Sequence, residues 1–203
     1  MQKLIHFKSQ TMKKTILIAL LAILCLSVKA QDKIIDTVPK IGGIYEYQEV
    51  VNLDSTYKKD FLYKNAKIYF VNNFKSANSV IQYDSKEDGK IIGKGNLNVY
   101  DTYILTPFDW QVNFSTEISC KDGRYRYRIY DINIVETRHI DSQYGGDQSN
   151  DMTLDDAILH TKKGTAKKIT ARLYNKMVTQ LKLDILALKA DMSKKDAIAK
   201  DDF

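Results

Sequence analysis

Residues 80–100 read VIQYDSKEDGKIIGKGNLNVY, and their two apolar runs flank an acidic turn, Ser85-Lys86-Glu87-Asp88-Gly89. Asp-Gly between strand-like runs is a strong hairpin signal, because glycine supplies the positive φ that such turns need. The same logic returns downstream. Phe114 to Cys120 alternates apolar and polar residues, turns at Lys121-Asp122-Gly123, and comes back as Arg124 to Ile129. Upstream, Leu62, Ala66, Tyr69, Phe70 and Phe74 recur at three- and four-residue spacing, the pattern of a helix with one buried face. Two Asp-Gly hairpins behind one helix predict an α+β fold, an antiparallel sheet with helices packed on one face.

Working outward, residues 44–53 form the expected first strand, with Tyr45, Tyr47, Val51 and Leu53 on one parity. Asp54-Ser55 offers an N-cap for the helix that ends near Phe74. In the first hairpin, Gly93 and Gly95 share the parity of Ile91, Leu97 and Val99, so they lie on the apolar face and let a helix approach closely. A phosphate-cradling role does not suit Gly93-Lys94-Gly95, which lies inside a strand and not between a strand and a helix. Residues 101–109 read as a connection containing Pro107, and 110–120 with 124–135 as the second hairpin. A polar connection follows over 136–164, with a short helical turn at 153–159. The longest helix is expected over 165–192, with Ile169, Leu173, Met177, Leu181, Ile185, Leu188 and Met192 in one stripe. Residues 44–192 thus make one domain, preceded by a tether at 31–43 and followed by a tail at 193–203.

The amino end reads as a secretory signal peptide over residues 1–30. Lys13-Lys14 precedes an apolar run from Ile16 to Leu26, and Val28 and Ala30 stand at minus three and minus one of a cleavage site. Met12 is an alternative start that would make residues 1–11 a misassigned leader, and lipidation of Cys25 stays open, although Leu24 is bulky for it. Removing the leader changes the charge argument. The full chain has 31 Lys and Arg against 25 Asp and Glu, but Lys3, Lys8, Lys13, Lys14 and Lys29 all leave with the leader, so the expected mature charge is near +1. The basic balance therefore gives no reason to expect a nucleic-acid partner. No membrane-spanning segment is expected after cleavage, and Cys120 is left as a small buried hydrophobe without a disulfide partner.

The segments Phe61-Leu62-Tyr63-Lys64-Asn65-Ala66-Lys67, Val80-Ile81-Gln82-Tyr83-Asp84, Gly89-Lys90-Ile91-Ile92-Gly93-Lys94-Gly95 and Tyr125-Arg126-Tyr127 resemble a known family. It is a bacterial, Bacteroidetes-type exported domain family of unknown function with a TATA-binding-protein-like fold. The resemblance spans about residues 44–135. It implies a β-α-β4-α order and an exported protein, and brings no catalytic residues. Tyr69 stands where the family often has tryptophan.

Candidate chemistry is sparse. If Tyr125, Tyr127 and Ile129 face the helices, then Arg124, Arg126 and Arg128 face the other way, because successive strand side chains alternate. With Tyr130 beside them they form a candidate ligand-binding set for an anionic or aromatic partner, as arginine both pairs and stacks. Glu117, on the wet face of the preceding strand, is an expected cross-strand partner. His139, His160, Asp141, Asp147, Asp151, Asp155 and Asp156 crowd the 136–164 connection, but their spacing matches neither an EF-hand loop nor a zinc site, so no metal is expected. No serine, threonine or cysteine sits in a nucleophile context, and no catalytic residue or cofactor is assigned. Duplex DNA binding by analogy with the fold's namesake is not expected, since that use needs a duplicated saddle. Two function classes stay open: a non-enzymatic exported module that binds a protein or cell-envelope component in the periplasm or outside the cell, and an envelope-acting hydrolase or enzyme accessory domain.

Overall fold

The computed structural model describes residues 33–74, 80–164 and 166–195, so the expected signal peptide, Cys25, and most of the tail lie outside the described residues. The unit from Asp32 onward holds the whole sheet and its core. In chain order the elements are β1 (Lys40–Ile41), β2 (Ile44–Tyr45), β3 (Tyr47–Asn52), α1 (Lys59–Asn73), β4 (Ile81–Ser85), β5 (Lys90–Tyr103), β6 (Thr106–Lys121), β7 (Arg124–Arg138), β8 (Gln148–Met152), α2 (Leu154–Lys162) and α3 (Lys167–Met192). A 3-10 turn at Ser142–Tyr144 lies between β7 and β8. The main sheet has the order β3-β7-β6-β5-β4, with β8 beside the second half of β7, and every pairing is antiparallel.

Both Asp-Gly turns form hairpins, with Gly89 at φ 62° and Gly123 at φ 70°. Each turn is tied to a neighbour: Cys120 N of β6 donates to the Gly89 carbonyl at 2.7 Å, and Gly123 N donates to the carbonyl of Tyr57, ahead of α1, at 2.8 Å. Asp122 Oδ1 accepts from Lys59 N at 2.8 Å and so caps α1 from the β6–β7 turn. This explains why α1 starts at Lys59 and not beside Asp54-Ser55. Asp54 instead closes a local turn, accepting from Thr56 N at 2.9 Å, and N-cap Lys58 makes no side-chain cap.

The helices cover one face of the sheet. On that face lie Ile91, Leu97 and Val99 of β5, Trp110, Val112, Phe114, Ile118 and Cys120 of β6, and Tyr125, Tyr127 and Ile129 of β7. Leu62, Ala66, Tyr69 and Phe70 of α1 and the full Ile169-to-Met192 stripe of α3 meet them, all buried. Each fully buried Val, Leu, Ile, Phe or Met among them contributes roughly 1.5–3 kcal/mol by leaving water. Gly93 and Gly95 are where the contact is closest. A Cβ on Gly93 would sit 2.4 Å from Phe70 Cε1, and one on Gly95 would sit 2.5 Å from Phe74 Cε1.

Several boundaries differ from expectation, each for a physical reason. The segment expected to be a tether is docked on α3: Val38 is buried and its N donates to Tyr174 Oη at 3.3 Å, while Ile35 N donates to Asn175 Oδ1 at 3.0 Å. The expected first strand breaks at Glu46, whose N turns to the Pro39 carbonyl at 2.9 Å. The 136–164 connection is mostly ordered elements: β7 runs on to Arg138, Gln148–Met152 pairs with it, and α2 starts from a Thr153/Asp156 capping box. The 101–109 connection is absent as such, because β5 and β6 join through a two-residue turn, Ile104-Leu105, at φ 46° and 67°. Such turns want Asn-Gly, and each L-residue held there costs about 1–2 kcal/mol, so the sequence gives no turn signal.

A bulge in β7 resets its parity. Asn113 pairs Asn133 while Ser115 pairs Tyr130, so β7 carries one extra residue, centred on Asp131 at φ 54°. The result is that Ile132 and Ile134 join Tyr125, Tyr127 and Ile129 in the core.

Asp184 of α3 is half-buried beside a small cleft bordered by Tyr69, Phe74, Leu97 and Phe114. Burial pushes its carboxyl above its ordinary value, although Gln180 Nε2 donates to it at 3.2 Å.

Two outcomes follow from this packing. Gly93→Ala should destabilise by about 1–3 kcal/mol, the usual range for overpacking a filled core, read as a lower urea midpoint; an unchanged midpoint would mean that Phe70 can retreat. A carboxyl whose folded pKa is raised adds stability only below its unfolded pKa and loses it as pH rises through the folded value. Asp184→Asn should therefore unfold at a higher denaturant concentration than the parent at pH 7, with the two converging below about pH 4. A neutral or harmful effect at pH 7 would show that the carboxylate is well solvated.

Candidate functional site

The face away from the helices is polar, and a cleft lies at the end that carries the two Asp-Gly turns. Strand register builds it in rows. Lys90 of β5 pairs Ser119 of β6, which pairs Arg126 of β7, which pairs Val50 of β3. One row nearer the turn, Lys121 pairs Arg124. These residues and Asp88 line a cleft of about 420 Å³.

The charges in the cleft are unequal in kind. Glu117 lies beside the row, 4 % exposed, with Lys90 Nζ at 3.2 Å and Arg126 Nη2 at 2.9 Å. Ser119 Oγ donates to it at 3.2 Å. Burial alone would raise the Glu117 carboxyl, but the bonds from Lys90 and Arg126 outweigh it and hold the group below its ordinary value. Asp88 accepts from the Tyr83 hydroxyl, which lowers its carboxyl. Asp122, between Lys121 and Arg124, is turned toward Lys58 and the Lys59 amide. Four cations thus meet two carboxylates in the cleft, and among the described residues Lys121 and Arg124 have no ion pair.

The expected ligand-binding set is therefore divided by the structure. Arg124 and Arg126 line the cleft. Arg128 does not: its Nε and Nη2 donate to Glu46 Oε2 at 2.9 and 2.6 Å, and Glu46 is 4 % exposed. The guanidinium lies 4.6 Å from the centre of the Tyr130 ring, so Tyr130 packs on Arg128 and is also outside the cleft. Lys90 and Lys121 escaped the sequence reading because they come from two other strands. The signal that would have found them is that both flank an Asp-Gly turn on outward parity, and the turns lie at the same end of the sheet.

Beyond Glu117 the face carries Lys94, paired with Ser115, and then rows of amides. Asn96, Asn113 and Asn133 pair across three strands, and Asn98 pairs Gln111 in the next row. Asparagine is depleted in strands, so this amide patch is not there for sheet stability.

Other expected features fall elsewhere. His139 Nδ1 lies 3.0 Å from Asp147 Oδ2, Asp155 accepts from Tyr45 Oη at 2.6 Å, and Asp156 caps α2. Among the described residues no three metal-ligating side chains converge. Cys120 is buried under the helices, and burial pushes its thiol up to about 12, leaving it uncharged and unreactive. No helix among the described residues is long and apolar enough to cross a membrane.

Comparisons with known proteins bear on the fold. The chain resembles a DUF4468 family protein from Bacteroides ovatus, with a TM-score of 0.52 and 12% identity over 83% of this chain and 97% of that one. It also resembles a TBP-like protein from Parabacteroides distasonis, with a TM-score of 0.52 and 14% identity over 76% of this chain and 98% of that one. At such identities the likeness is one of fold. No curated protein matches the chain. Residues 47–135, from β3 through most of β7, match the domain of unknown function DUF4468 with TBP-like fold, and the fold that this segment builds is the one shared with the two solved structures.

Proposed function

We propose that the chain is a non-enzymatic exported binding module of the cell envelope, and that its cleft takes an anionic group of a protein or envelope component. The observation that carries this reading is the convergence of Lys121 and Arg124, which have no ion pair among the described residues, on the cleft that Lys90 and Arg126 already line. Clustered cations that lack a partner favour an anion, and arginine binds carboxylate or phosphate in a bidentate fork. The amide patch beyond Glu117 offers the same ligand uncharged hydrogen-bonding groups. The leader expected over residues 1–30 supports export.

An envelope-acting hydrolase would need two carboxylates facing a common substrate position. Asp88 and Glu117 are instead held by Tyr83 and by Lys90 with Arg126, which favours binding over acid–base chemistry.

Inorganic pyrophosphate titrated calorimetrically at low salt tests the cleft. Replacing Lys121 and Arg124 together by Gln should weaken binding at least tenfold and leave the unfolding midpoint in place, since exposed changes cost less than about 0.5 kcal/mol each. Equal affinity in the double variant would remove the cleft from consideration. Arg128→Gln should do the opposite, sparing pyrophosphate and lowering stability by about 1–3 kcal/mol because it strands Glu46 inside the protein. If urea unfolding of that variant matches the parent, the Glu46 pair is idle.

A further inference from the structure

We propose that the β5–β6 hairpin tip is a membrane finger that seats Ile104 and Leu105 in the interfacial layer of an anionic lipid bilayer. Two local rules are broken at this tip at once. Ile104 is 78% exposed and Leu105 95%, the two most exposed large apolar residues described, and both occupy left-handed backbone positions at φ 46° and 67°. A β-branched residue at positive φ is a strong outlier, and an Asn-Gly pair would relieve the backbone and the exposure together. Features that cost a fold stability without any internal contact in return mark places where function sets the residue.

The surroundings favour a bilayer over a protein pocket. The tip is a convex, two-residue point, which a lipid interface accepts without a matching cavity. Tyr100 is 74% exposed and Tyr103 half-buried just behind it, where amphipathic rings suit the headgroup layer. α3 runs alongside: Lys176 Nζ donates to the Tyr100 carbonyl at 2.7 Å, and Arg172 Nη2 donates to the Thr102 carbonyl at 2.9 Å. Both also meet Asp101, at 3.1 and 3.2 Å. One more turn toward the start of α3 advances about 5.4 Å, which carries Lys167 and Lys168 farther in the direction of the tip than Arg172. Lys162, the last residue of α2, and Lys163, just after it, precede them. Residues 100–109 and 162–176 together hold six Lys and Arg and only Asp101 and Asp109 as acids. An apolar point ringed by tyrosine and net positive charge fits a surface of anionic headgroups, where each cation near the surface adds to binding.

The test uses the chain from Asp32 onward, the unit that holds the whole sheet and core, sedimented with phosphatidylglycerol or phosphatidylcholine vesicles. The parent should bind the phosphatidylglycerol vesicles, less tightly as salt rises, and the phosphatidylcholine vesicles weakly. Ile104→Asn with Leu105→Gly should lower vesicle affinity at least tenfold while its thermal midpoint stays level or rises, because the turn gains its preferred pair. Leu105→Ser alone, which leaves the backbone path to Ile104, should give a smaller loss in the same direction. Replacing Lys162, Lys163, Lys167 and Lys168 by Gln should flatten the salt dependence. A parent that sediments with neither vesicle, or a double variant that binds as the parent does, overturns the proposal. So does self-association in analytical ultracentrifugation that the double variant abolishes without any vesicle binding, which would make a second copy of this chain the occupant.

Discussion

The approach of α1 to the sheet is the constraint on which the rest depends. Phe70 and Phe74 stack with centroids 5.5 Å apart over the two glycines of β5, and neither position leaves room for a methyl group. With the helix this low, Leu62, Ala66 and Tyr69 pack over β5 and β6, and α3 can close the layer beside it. Glycine weakens a strand interior, so β5 gives up local stability for a contact made only in the folded protein. The order of the chain follows from the same point: the Asp122 cap joins the start of α1 to the β6–β7 turn, and the phenylalanines join its end to β5, so the helix is fixed at both ends by residues distant in sequence.

Electrostatics then distinguishes the two faces. On the wet face the carboxylates lie lower than the cations. Glu46 and Glu117 are nearly excluded from water, while their arginine partners keep 24 and 42% of their side-chain surface. This arrangement fixes the guanidinium groups in place, since the buried acid cannot leave its partner without stranding a charge. Arg128 is consumed by that role. Arg126 is only half consumed, and its remaining donors face the cleft together with the uncommitted Lys121 and Arg124. One stripe of arginines therefore divides into an anchor and a cleft edge, a division set by which of them has Glu46 beside it.

Much of the fold was legible because it rests on short-range signals. Asp-Gly turns, the Phe70/Phe74 helix period and the Ile169-to-Met192 stripe each carry their meaning within a few residues. What stayed hidden is long-range. Docking of residues 33–41 depends on Tyr174 and Asn175, more than a hundred residues away. The strand at Gln148–Met152 has no β-forming composition and exists because β7 offers it an edge. The half of the cleft edge that was legible, Arg124 and Arg126, lies on one strand. Lys90 and Lys121 needed the register. The β7 bulge was readable in principle, as Ile129 and Ile132 break a strict two-residue alternation.

Asp131 and Ile104-Leu105 both hold ordinary residues at positive φ, yet the comparison separates structural strain from strain of another origin. Asp131 repairs the parity of β7 and thereby buries Ile132 and Ile134, so its cost is offset inside the fold. Ile104 and Leu105 bury nothing, and the turn they make is one that Asn-Gly would make with less strain. The cleft and the strained tip also lie far apart along the sheet. β5 spans 14 residues from Lys90 at the cleft to Tyr103 behind the tip, a reach of about 40 Å at roughly 3.3 Å per residue. A domain held at the Ile104-Leu105 end would present the Lys121 and Arg124 cleft at the opposite pole, facing away from whatever holds it, and the length of one uninterrupted strand sets that separation.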